Sequence, residues 1–192
     1  MTGEKFTEVL ARIDALNAAD PEVVMEGEVS HPAALLYGRR MSAELVGFHA
    51  QASEHLRIAV RGQHIERWKL ARASYPKGRE GYLAWRRDQG RKHAERVAGL
   101  MRDAGYGPDD CDRVARIVRK QGIKRDAEVQ VLEDVACLVF LRWYCAGFAA
   151  GRDAEQVYRI VAKTARKMSA EGRAAAAGLD LPEELAPALD VN

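Results

Sequence analysis

Apolar residues along this chain recur mainly every three or four positions, the spacing of one face of an α-helix. The first such stretch, about residues 5–18, sets Phe6, Val9, Leu10, Ile13 and Leu16 on one stripe. Asp20-Pro21 ends it, because the residue before a proline avoids helical backbone. A loop rich in Glu, Gly and Pro runs to Pro32, and a second helix covers about residues 33–49. A third is expected over about residues 53–70, with Ser53 as its N-cap. Residues 71–78, ARASYPKG, read as a turn before a long fourth helix, about residues 81–104, that stops at Gly105. Pro108-Asp109-Asp110 opens a fifth, to about residue 121, with Gly122 closing it. Asp126 starts a sixth with a long apolar stripe over residues 129–148, and Asp153 caps a seventh to about residue 168. The tail LPEELAPALDVN reads as a short turn with a frayed end. The expectation is all-α: one helical-bundle domain of about seven helices over residues 1–178, then a C-terminal tail, 179–192.

Composition narrows the classes. At 192 residues the chain can bury a sizeable core. No apolar run approaches the roughly 20 residues of a membrane span, and the charged, amphipathic N-terminus lacks a signal-peptide layout, so the cytoplasm is the expected compartment. The net charge of +2 gives a weak overall field, which argues against a general nucleic-acid coat but leaves room for a local basic cleft. Nucleic acid is therefore a less favoured partner than an anionic small molecule or nucleotide. Cys111, Cys137 and Cys145 have no metal-finger spacing; Cys137 and Cys145 fall in an apolar helical stretch and read as core thiols.

Two groups of residues could carry chemistry. His64, in QHIERW, and His93, in RKHAERVAGLM, each sit in a polar cluster on an otherwise apolar helix. Glu133-Asp134 interrupts the apolar sixth helix, and a carboxylate there is costly to bury unless it is paired or binds a metal. Two histidines and Asp134, each from a different helix, can form an open metal site whose bound water becomes a nucleophile. The plainer reading makes both histidines hydrogen-bonded core residues and Asp134 half of a salt bridge. The second group is cationic. Arg67, Lys69, Arg72, Lys77 and Arg79 surround the Ser74-Tyr75-Pro76 turn, Arg86 follows, and Lys120, Lys124 and Arg125 bracket the turn before the acidic helix. Trp68, Tyr75, Tyr82 and Trp85 are interleaved, and guanidinium groups beside aromatic faces suit phosphate and base or sugar recognition. The competing reading is a solvated basic face. Phosphate-loop, dinucleotide and nucleophile-elbow motifs are missing, and Gly38-Arg39-Arg40 fits none, although its arginines could point into a cleft.

The segments LLYGRRM, QHIERW, SYPKGREGYLAWR, KHAE and RKQGIKRDAEVQVLEDVACLVFL resemble the signature blocks of the domain of unknown function 4202 family, from about residue 17 to 176. A more distant similarity links the helix ending in His64, the helix carrying His93 and the Leu-x-Asp of Asp134 to the HD superfamily of metal-dependent phosphohydrolases. On that resemblance the bundle is HD-like, His64 matches the His of the His-Asp pair, Asp134 the distant Asp, and His93 an additional His of two-metal members. Ile65 stands where the Asp of the pair should be, Arg40 or Met41 near the first His, and Lys120 near another.

The leading expectation is a metal-dependent phosphohydrolase acting on a phosphorylated small molecule or nucleotide. His64, His93 and Asp134 would hold a divalent metal, Glu66 or Glu133 would orient water, and Arg67, Tyr75, Arg79, Arg86 and Lys124 would bind substrate. The alternative is a non-catalytic domain that binds a nucleotide, RNA or another anion on a degenerate HD-like scaffold.

Overall fold

The computed structural model describes residues 2–190. Among them are nine α-helices: α1 (Thr2–Asn17), α2 (Ala33–Phe48), α3 (Glu54–Gly62), α4 (Arg79–Asp103), α5 (Pro108–Val118), α6 (Ala127–Val139), α7 (Cys145–Ala149), α8 (Ala154–Ala165) and α9 (Ala170–Ala177). The chain is mostly helical, as the periodicity predicts, and has more helices than the expected seven. The expected sixth helix is interrupted at Phe140–Tyr144, where one turn winds as a π-helix and the Cys145 amide bonds back to the Phe140 carbonyl. A short α9 also follows α8. The start signals act as anticipated. Ser53 Oγ accepts from the Leu56 amide (3.1 Å), Asp153 accepts from the Gln156 amide (2.9 Å), and Asp126 accepts from the Glu128 and Val129 amides.

Two regions depart from the expected outline. The Glu- and Gly-rich loop before α2 is an antiparallel hairpin, β1 (Val23–Glu26) and β2 (Val29–Pro32), with Glu26 opposite Val29. Its two-residue turn starts with Gly27 at φ +61°, the conformation tight hairpins need and glycine adopts without strain. The third helix ends at Gly62 instead of residue 70. Glu66 takes a left-handed backbone (φ +51°), and the chain continues through two 3₁₀ turns, Arg67–Lys69 and Arg72–Ser74. This connection is pinned to α4: Trp85 Nε1 donates to the Leu70 carbonyl (2.9 Å), and Gln89 Nε2 donates to the carbonyls of Arg67 (2.9 Å) and Leu70 (3.0 Å).

Apolar burial falls into two clusters. The larger joins α1 to α6 through Val9, Ile13, Met41, Leu56, Met101, Ile117 and Leu132. The smaller gathers the end of α6 with α7, α8 and α9 around Leu138, Leu141, Val161 and Ala165. Leu185, Ala188 and Leu189 are buried in this second cluster, so the segment after residue 178 packs as part of the bundle up to Asp190. The rest of the expected frayed end, Val191 and Asn192, lies outside the described residues. Among the described residues no helix is long and apolar enough to cross a membrane.

Gly81, buried in the first turn of α4, meets the turn before it. A Cβ there would lie 1.9 Å from the Pro76 carbonyl oxygen, backbone that cannot swing aside. Gly81→Ala is expected to destabilise the fold by about 1–3 kcal/mol, as overpacking does, measurable as a lower urea midpoint with an unchanged slope.

Candidate functional site

A cleft of about 760 Å³ opens where the two apolar clusters meet. One wall comes from α2 and the α3–α4 connection, with Tyr37, His64, Arg67 and Arg72. The start of α4 adds Tyr82, Trp85 and Arg86. The opposite wall is α6 and α8, with Glu133, Cys137, Phe140, Thr164 and Lys167. Lys120, from the α5–α6 turn, and Tyr144, at the end of the π-helical turn, complete the lining. The hairpin reaches the rim through Val24, and Asp20 holds the base of that rim by accepting from the amides of Ala34 (2.9 Å) and Glu22 (3.0 Å).

The charges inside are unevenly compensated. Glu133 is nearly sealed from solvent, its side chain 6% exposed, yet it is ion-paired with Lys120 and, at 3.7 Å, with Lys167. Burial alone would raise its carboxyl, but Lys120 chiefly, with Lys167 and Arg86, holds it below the usual value, as a carboxylate. Lys120 itself has a left-handed backbone (φ +56°) where the chain leaves α5, its amide bonded to the Ile117 carbonyl and that of Gln121 to the Arg116 carbonyl, a conformation that costs a non-glycine residue free energy. Arg67 has no such partner. Its guanidinium lies 4.7 Å above the Trp85 ring, and burial, with Arg86 nearby, lowers its pKa. Among the described residues neither Arg67 nor Arg86 forms an ion pair with a carboxylate.

His64 occupies the same space. Tyr37 stacks on one side of its ring (centroids 4.4 Å apart, planes 16° apart), and the His93 ring lies 5.9 Å away, tilted by 45°. Burial, then Arg67, His93, Lys120 and Arg86, drives its pKa well below the ordinary imidazole value, so the ring is neutral. Neither ring nitrogen has a protein hydrogen-bond partner and neither is sealed from solvent. His93 differs. Its Nδ1 donates to the Ile65 carbonyl (2.7 Å), its Nε2 is fully enclosed without a partner, and burial lowers its pKa to about 4.

The structure brings some of the expected site residues together and separates others. His64, Arg67, Arg86 and Glu133 share the cleft. Asp134 does not join them. Its Oδ1 accepts from the Ser169 amide (2.8 Å) and Gln130 Nε2 (3.0 Å), and its Oδ2 from Ser169 Oγ (2.6 Å). Ser169 Oγ in turn caps α9 by accepting from the Gly172 amide (2.9 Å). Asp134 is thus a structural clasp between α6 and α9. Among the described residues no three His, Cys, Asp or Glu side chains converge to hold a metal ion. The set His64, His93 and Asp134 therefore does not fit a divalent metal: one member faces a different helix and one nitrogen is walled in. Glu66, the other candidate for orienting water, lies outside the cleft, paired with Lys69 and with Arg96 (2.8 Å). Tyr75 donates to Asp88 (2.7 Å), and Arg79 and Lys124 are exposed; none of the three lines the cleft. Arg40 is drawn away to Glu26 of the hairpin (2.7 Å).

Lys167, Tyr37 and Tyr144 enter the site without local warning. Lys167 lies 34 positions beyond Glu133, and only the packing of α8 on α6 brings it there. Cys137 lines the cleft as an inert thiol, pushed up to about 12 by burial and then by Glu133. All three cysteines are buried and unpaired.

A mostly helical bundle with a cationic, aromatic cleft is thus the class defined by fold and site. The chain belongs to the Domain of unknown function (DUF4202) family, whose model matches residues 7–189. No curated protein and no solved structure matches it.

Two expected outcomes follow. Asp134→Ala strands the Ser169 hydroxyl and amide and should cost about 1–3 kcal/mol in chemical denaturation. Buried neutral histidines also make stability depend on pH. His93 has a folded pKa below its unfolded one, so its contribution is full above about pH 6.5 and is lost as pH falls toward about 4. Unfolding free energy measured in urea should fall by up to about 1.4 kcal/mol per pH unit from this group across that window, and His93→Phe should reduce the slope.

Proposed function

We propose that the cleft binds a phosphorylated small molecule, of which a nucleotide is the fitting kind, without the help of a metal. The observation that carries this reading is Arg67: an enclosed guanidinium, stacked on Trp85, with no acidic partner of its own. A charge withdrawn from water and left unpaired is costly, and an anionic ligand supplies the missing partner through a bidentate contact. Arg86, together with Lys120 and Lys167 beyond the charge of Glu133, surrounds the same space with positive potential. Tyr37, Tyr82, Trp85 and Tyr144 offer faces for a flat ring. The bundle is read as HD-like in the order of its elements, with His64 just beyond α3, His93 on α4 and Asp134 on α6, but with Ile65 in place of the pair's Asp and Lys120 near another expected His. Three unpaired cysteines accord with a reducing compartment, and the cytoplasm is the proposed one.

Thermal shifts with inorganic phosphate, AMP and ADP test this directly. Stabilisation should persist in excess chelator. Arg67→Gln should weaken it by about 10–100-fold in Kd, the worth of a charged hydrogen bond of about 1.5–3 kcal/mol. The same variant should leave the ligand-free protein as stable as before or more so, since it removes an uncompensated charge. Shifts that vanish on chelation, or that survive Arg67→Gln unchanged, would overturn the reading.

A further inference from the structure

We propose that the cleft is a metal-independent phosphoryl-transfer site in which His64 is the nucleophile, hydrolysing a phosphomonoester through a covalent phosphohistidine. The inference rests on the binding reading above and adds chemistry to it. His64 is the one histidine among the described residues that line the cleft. Its ring is fixed in plane by Tyr37 and flanked by His93, and both nitrogens are open and unclaimed by the protein. His93 engages the protein through Nδ1 on the Ile65 carbonyl, whereas among the described residues the His64 ring has no hydrogen-bond partner.

The surrounding charges choose between two roles for a neutral imidazole. As a general base His64 would become an imidazolium, adding positive charge among Arg67, Lys120 and Arg86, which already disfavour that form. As a nucleophile its ring also gains positive charge, but that charge is joined covalently to a phosphoryl group whose dianionic oxygens offset it and are favoured by those same cations. Nucleophilic catalysis needs a deprotonated nitrogen held beside the groups that clamp the transferred phosphoryl, and these are the groups that line this cleft.

The steps balance within the residues present. The lone pair of one imidazole nitrogen forms the N–P bond, and the P–O ester bond breaks with its electron pair on the leaving oxygen. That oxygen takes a proton from the Lys120 ammonium, whose partner Glu133 remains a carboxylate. The alcohol departs. Water then adds to phosphorus, the N–P electron pair returns to His64, and the proton lost by the water restores Lys120. Inorganic phosphate leaves. The aromatic walls favour a phosphomonoester of an aromatic or heterocyclic compound, such as a nucleoside 5′-monophosphate.

The test uses the full chain in excess chelator with p-nitrophenyl phosphate, AMP and acetyl phosphate, and with inorganic phosphate as a pure binding probe. Quenched samples should carry one phosphoryl group, stable in alkali and lost in acid, at His64 and not at His93. His64→Ala should abolish it and lower turnover by at least about 10³-fold, as loss of a nucleophile does, while inorganic phosphate still raises the melting temperature. His64→Asn, closer in shape, should behave likewise, and free imidazole should restore turnover to His64→Ala. Binding of inorganic phosphate without label or turnover on any of the three donors would overturn the mechanism and leave the binding reading standing. Turnover that survives His64→Ala would overturn it as well. Failure of every probe to bind would remove both.

Discussion

The buried carboxylate of Glu133 is the constraint around which the cleft is organised. An isolated charge at that depth would cost several kcal/mol, and the fold meets the demand from two directions. Lys120 arrives from the left-handed turn that closes α5, and Lys167 from just beyond α8. Three elements distant in sequence are thereby tied at one point, between the two apolar clusters. The arrangement leaves the opposite wall unbalanced. With the lysines occupied by Glu133, Arg67 and Arg86 have no carboxylate partner, and that asymmetry is what the proposed anion would balance.

Much of the scaffold was legible because helix boundaries are governed by local chemistry. Ser53, Asp126 and Asp153 cap because a side-chain oxygen can reach an amide two or three residues on, a rule that needs no knowledge of the rest of the chain. The hairpin escaped notice because its strands are only four residues long and mostly exposed, so no alternating apolar pattern marks them. The third helix looked longer than it is because residues 63–70 keep an acceptable helical composition. Its end depends on the left-handed turn at Glu66, whose amide is taken by the buried Asn17 side chain (3.0 Å).

The site was only partly legible, for a geometric reason. Glu133 and Asp134 read as one acidic unit, but neighbours on an α-helix point about 100° apart. One faces the cleft and the other faces α9, so a single function could not be shared between them. Arginines near the Ser74-Tyr75-Pro76 turn were recognisable as a group, yet the winding of the connection decides which point inward. Arg67 enters the cleft, and Arg79 is left in solvent. Lys167 carried no signal, since its role is created by tertiary packing alone.

The π-helical turn at Phe140–Tyr144 has its own consequence. The wider winding changes the rotation between successive side chains from that of a regular α-helix, and here Phe140 and Tyr144 both line the cleft. Such a turn amounts to one residue inserted into an otherwise continuous rod. Residues before it already serve both clusters, Val135 and Val139 the larger and Cys137 and Leu138 the smaller, and the turn resets the rotation of the segment after it, where Cys145 is buried in the smaller one. The bundle can therefore present an aromatic surface between its two cores, and deleting one residue from that turn would swing everything after it by about 100°.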